Sequence, residues 1–217
     1  MKPFVRRMLD AGDFDGLEAM AKDRGSMLSL LFTFTYDADL LIRFRSIDAL
    51  GRVAAVIAQK KGLEHVRDFL RRLFWLTNDE SGGLGWMAPE AIAEILVNIP
   101  SLFGEYGRLL ANLLEEDGCF LESACRAMAR LASKEPGLVR ENRRRLEHIA
   151  VQGNPNERAG ALLAMAGADL DVFVQVGEAL ALPTVEKEIN FYDFDTGGLK
   201  PWFLASIGSR LVLGAAG

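Results

Sequence analysis

The 217-residue chain predicts an all-α fold, a right-handed stack of about five antiparallel helical hairpins with a short nonhelical segment near 184–200. Three observations carry this. Helical periodicity runs almost end to end, with glycine, proline and Asp or Asn breaks every ten to twenty residues. A helix segment rich in small residues recurs four times. A third repetition is a loop phrase: Glu80-Ser81-Gly82-Gly83-Leu84 ahead of Trp86 and Pro89, and Asp195-Thr196-Gly197-Gly198-Leu199 ahead of Pro201 and Trp202. Recurrence of this kind between helical stretches marks a repeat array.

In chain order, helices are expected near 3–9, 13–23, 26–35, 39–60, 63–77, 87–98, 101–115, 119–133, 137–151, 155–167, 170–181 and 202–213. Breaks as short as Gly62 or Pro100 force neighbouring helices into antiparallel hairpins. The recurring segments are Ala49-Leu50-Gly51-Arg52-Val53-Ala54, Ala91-Ile92-Ala93-Glu94-Ile95-Leu96, Ala127-Met128-Ala129-Arg130-Leu131-Ala132 and Ala161-Leu162-Leu163-Ala164-Met165-Ala166. They begin at 49, 91, 127 and 161, intervals of 42, 36 and 34 residues, and a degenerate copy follows at Ala205. Small side chains there let helices approach closely, and Leu, Ile, Val and Met fill the space between them. Residues 1–25 and 182–217 are read as end caps around repeats at 26–181, the whole forming one domain. The long first interval accommodates the glycine-rich insertion 78–86, and aromatic and polar residues alternate at 191–195, as in a short extended segment.

These segments, and above all Leu41-Ile42-Arg43-Phe44-Arg45-Ser46-Ile47-Asp48-Ala49-Leu50-Gly51-Arg52, resemble the HEAT-like, armadillo-type family of helical repeats. The resemblance implies an α-solenoid and a habit of binding partners. It assigns no catalytic residue.

Composition narrows the function classes. Half of the residues are hydrophobic, enough for a substantial core. The longest apolar runs, 27–34 and 159–168, are too short to span a bilayer, and no signal-peptide core forms after Arg6-Arg7, so the chain reads as cytoplasmic. A net charge of −5 disfavours nucleic acid as partner, because duplex affinity comes largely from neutralising phosphates. The basic cluster Arg140, Arg143, Arg144 and Arg145 is interleaved with Glu141 and Glu147, as on a solvated helix face. Cys119 and Cys125 point to different sides of one helix and read as two small buried hydrophobes. His65 and His148 have no companion ligands, so no metal is expected, and no cofactor either.

Candidate binding residues cluster at the two glycine phrases. Asp79 and Glu80, with Asp193 and Asp195 in the second copy, would rim a pocket on the concave side, with Trp86 and Trp202 as its wall. Burial in the core is the simpler reading of both tryptophans. The glycine pairs are expected to make tight turns that set Pro89 and Pro201 at helix starts, with Glu90 favoured by the helix dipole. Arg43 and Arg45 diverge by about 200° on their helix and cannot serve one ligand together. Hydrogen bonding between repeats, to carbonyls and carboxylates, is their structural reading, and an anionic partner the functional one. Asp48 and Arg52 are spaced for an i,i+4 pair. The sequence thus favours a noncatalytic interaction scaffold whose partner is another protein. The competing class is an enzyme or ligand binder in the solenoid cleft, of the DNA-glycosylase or chromophore-lyase kind.

Overall fold

Local capping sets the element boundaries in the computed structural model, which describes residues 1–22, 24–78, 85–115, 118–168 and 188–203. Helix α1 (Lys2–Ala11) carries Pro3 in its first turn and stops at Gly12, whose φ of 69° is left-handed. Helix α2 (Phe14–Ala21) is capped by Asp13, whose carboxylate accepts from the Gly16 N–H at 3.0 Å. Helix α3 (Met27–Phe32) tightens into a 3₁₀ turn at Thr33–Tyr36. Helix α4 (Leu40–Lys61) starts under an Asp39 cap and ends at Gly62, φ 88°. There follow α5 (Leu63–Thr77), α6 (Ala88–Asn98), a 3₁₀ turn at Pro100–Leu102, and α7 (Phe103–Asn112). Then come α8 (Leu121–Leu131), α9 (Pro136–Glu141), α10 (Arg143–Gln152) and α11 (Pro155–Ala168). At α11, Asn154 Oδ1 accepts from the Glu157 N–H while Glu157 Oε2 accepts from the Asn154 N–H, a reciprocal capping box. Strands β1 (Glu188–Asp193) and β2 (Gly198–Phe203) pair as a hairpin.

The described chain is thus mostly helical, with one two-stranded sheet. The expected helix 63–77 matches α5 in both bounds, and 39–60 matches α4 within one residue at each end. Expectation 137–151 is corrected: the helix breaks at Asn142, where the side-chain amide donates to Leu138 O and competes with the backbone ladder. Expectation 202–213 is overturned at its start, since Pro201 and the backbone of Trp202 and Phe203 lie in β2. A proline is tolerated in a strand that has a neighbour on one side only. The helix expected at 170–181, the degenerate copy at Ala205 and the rest of 202–213 lie outside the described residues. Among the described residues, no helix is long and apolar enough to cross a membrane.

The chain divides into two compact units, Met1–Gly104 with Tyr192–Leu199, and Glu105–Phe191 with the residues from Lys200 on. In the first, α4 is the hub, packed by α1, α2, α3, α5 and α6. Its heaviest contact is with α6, and Gly51 explains it. A Cβ there would stand 2.7 Å from the Glu94 carbonyl oxygen, so only glycine permits this approach. In the second unit α11 packs chiefly on α8, and also on α9 and α10. Gly160 has the same role, since a Cβ would fall 2.8 Å from Cys125 Cβ. The helices that carry the four recurring small-residue segments therefore meet in two pairs: α4 on α6, and α8 on α11. Each pair is buried among Leu50, Val53, Ile92 and Ile95, or among Met128, Leu131, Leu162 and Met165.

Candidate functional site

In the first unit, the turn of the hairpin sits on the N-terminal half of α4. Its backbone is organised locally by Asp193, whose carboxylate accepts from the Asp195 N–H (3.0 Å) and the Thr196 hydroxyl (2.9 Å). The Gly197 N–H donates to Asp193 O at 2.8 Å, and Gly197 takes the left-handed φ of 66°. This preformed turn presents Tyr192, Phe194 and Leu199 to Phe44 and Ile47 on α4, with Met87 packed on the same cluster. Tyr192 stacks on Phe44 with centroids 5.9 Å apart and meets the edge of Phe194 at 4.9 Å.

The polar anchor beneath this cluster is Asp48, 2% exposed. Its Oδ1 accepts from Arg52 Nε at 2.7 Å and its Oδ2 from the Tyr192 hydroxyl at 3.0 Å. Burial, and the neighbouring Asp48 charge, push the Tyr192 phenol well above its ordinary range and keep it a proton donor. Burial is the largest single influence on the Arg52 guanidinium and works against its charge, but the hydrogen bond it donates to Asp48 and the attraction of Asp48 and Glu18 together raise it. Arg52 also lies over the Phe14 ring at 4.5 Å.

Arg45 clamps the turn from the side: Nε donates to Gly197 O at 2.9 Å, and Nη1 donates to Leu9 O and Asp10 O. Arg43 donates to Asp37 O. Both arginines thus bind backbone carbonyls, the acceptors expected of them, although the expected bonding is between repeats and Arg43 reaches only the stretch just ahead of its own helix. Glu90 sits in the first turn of α6, with Pro89 beside it, but is 9% exposed and so is not offered to a partner. Asp195 is exposed at the apex of the turn. Asp79 and Glu80 lie outside the described residues, as does the side chain of Trp202. Trp86 overturns the burial reading: it is 52% exposed, next to the buried cluster that takes Met87 instead. Trp75, in the last turn of α5, is 67% exposed, so an exposed indole stands on each side of the α5–α6 connection in sequence.

Cys119 is also a correction, being exposed ahead of α8, while Cys125 is buried. Arg145 leaves the expected solvated face to donate to Leu114 O at 2.7 Å, whereas Arg143 pairs with Glu147 in solvent. In the second unit Arg126 donates to Asn190 O and covers the Phe191 ring. A shallow cleft of about 150 Å³ in the first unit, bordered by Ser29, His65, Asp68 and Arg72, contains none of the binding candidates named from sequence. Tyr192, Phe44 and Met87 were not flagged by sequence reading. The aromatic alternation immediately before the second glycine pair was the available signal.

No family model matches the chain, and no solved structure matches it significantly. An uncharacterized protein of Archaeoglobus fulgidus is 41% identical over 88 residues, which make up 41% of this chain and 44% of that protein. The chain therefore matches less than half the length of this curated relative, and what is shown is a shared segment.

Proposed function

We propose that the chain is a noncatalytic protein-interaction module of the HEAT-like repeat type, holding its partner at the α5–α6 connection. The observation that carries the reading is the exposure of Trp75 and Trp86 at the two ends of that connection. Tryptophan is the side chain most enriched among binding hot spots, and one truncation at such a spot costs about 2 kcal/mol or more of affinity. The repeat assignment is supported by the pairwise packing of α4 on α6 and of α8 on α11 through glycine contacts, each pair carrying two of the recurring segments. The inserted loop between helices of a hairpin is where repeat proteins commonly place function.

The test is recovery of bound proteins from native extract with the full chain as bait, read by mass spectrometry. Trp75→Ala/Trp86→Ala should lower recovery of the specific partner about tenfold or more. Its thermal midpoint should stay within roughly 2 °C of the parent, a shift corresponding to no more than about 1 kcal/mol. Undiminished recovery would remove the proposal. Unfolding of the double variant would assign the indoles to the fold instead.

A further inference from the structure

We propose that the cleft bordered by α3, α4 and α5 is a binding site for a small monocarboxylate carrying a compact apolar group, with Arg72 holding the carboxylate. This site is separate from the reading of Trp75 and Trp86, and its test alters neither tryptophan.

The cleft has two chemically different parts. Its floor is apolar and belongs to the core: Leu28 of α3, Ile57 of α4 and Phe69 of α5 are all buried. Phe69 is held there by an edge contact with Phe32, centroids 6.3 Å apart. The rim is polar, and helical spacing builds it. His65, Asp68 and Arg72 follow one another at intervals of three and four residues, so they share one face of α5 over about 10 Å. Ser29 of α3 adds a hydroxyl to this rim. Gly25 has no side chain to close the edge of the cleft, and the Lys61 ammonium lies 3.4 Å from where its Cβ would stand.

Charge selects the ligand. Asp68 and Arg72 have the i,i+4 spacing that ordinarily makes an ion pair on a helix. Asp68 instead pairs with Arg71, which also holds Glu64. Arg72 is thereby left without a hydrogen-bond or ion-pair partner among the described residues, and it supplies the fixed positive charge of the rim. A guanidinium presents parallel N–H donors that match the two oxygens of a carboxylate, and an apolar floor beside it takes a ring or branched chain. Asp68 disfavours a dianion in the same space, which selects a carboxylate over a phosphate. The volume of about 150 Å³ is below that of sites for drug-sized ligands, so the apolar group must be compact.

Benzoate is the probe, titrated at constant ionic strength into the isotope-labelled full-length chain, with the backbone amide resonances of α3 and α5 as readout. Saturable shifts centred on the cleft are expected, with a dissociation constant of about 1 mM or below. Benzamide, the same ring without the charge, should bind about tenfold more weakly or worse, and so should inorganic phosphate. Arg72→Gln should weaken benzoate about tenfold or more. Arg72 is exposed, so this change should leave resonances away from the cleft in place. Ser29→Phe is a second route: it sets a ring at the rim from an exposed helix position and should block benzoate while Arg72 is kept. Absence of saturable shifts up to about 10 mM benzoate, or undiminished affinity in both variants, would overturn the proposal. Phosphate or benzamide binding as tightly as benzoate would also overturn it, because neither carries the single carboxylate on which the assignment rests.

Discussion

Asp48 shows how much one side chain decides. In sequence it announces only an i,i+4 pair with Arg52, which the structure contains at 2.7 Å. The bond to Tyr192 could not be read, because residues 144 positions apart leave no local pattern. Removing the hydroxyl leaves a buried acceptor unpaired, so Tyr192→Phe should lower unfolding free energy by about 1–3 kcal/mol in urea titration. The cysteines supply a second residue-scale prediction. Burial pushes the Cys125 thiol up to about 12, whereas Cys119 is exposed. A disulfide reagent at pH 8 should therefore titrate one thiol in the native chain and two after denaturation. Two fast thiols in the native chain would contradict the burial of Cys125. A third concerns Asp37, which a hydrogen bond from Arg6 holds below the usual carboxylate range. Its contribution is complete above the unfolded value of about 3.9 and fades as pH falls through the lowered native value. Asp37→Asn should flatten that acid limb of the stability profile and leave the profile above pH 6 parallel to the parent.

At the scale of elements the helices were legible because periodicity and caps agree, as at α5, bounded by Gly62 and Asn78. The hairpin was only half legible. Residues 191–195 showed alternation, but Pro201 followed by an apolar run read as a helix start, and tertiary docking of Tyr192 and Leu199 on α4 won over that local signal. Trp86 shows the same limit from the other side: composition favours burial, yet the adjacent Met87 takes the place in the cluster. The recurring small residues did forecast close helix contacts, and they can be tested one glycine at a time. Gly51→Ala and Gly160→Ala should each destabilise by about 1–3 kcal/mol through overpacking. Gly104→Ala, which meets nothing within 4 Å on α7, should be neutral or stabilise by up to about 1 kcal/mol. Equal effects at all three positions would mean that helix propensity, and not close approach, governs them.

For the whole molecule, the sequence could place most of the described helices, but it could not say that the second glycine phrase closes a turn seated on α4. That turn packs Tyr192, Phe194 and Leu199 against Phe44 and Ile47, whereas the first phrase lies outside the described residues. The turn's surroundings decide this: Asp193 ahead of the glycines ties the turn together, and Tyr192 supplies the donor that Asp48 accepts. The seating of the turn Tyr192–Leu199 on α4 is the feature on which the site rests. A double-mutant cycle on Asp48→Asn and Tyr192→Phe, measured by urea unfolding of the full chain, tests it most directly. A coupling of about 1–3 kcal/mol is expected, and additivity of the two changes within about 0.5 kcal/mol would contradict the seating of the hairpin on α4.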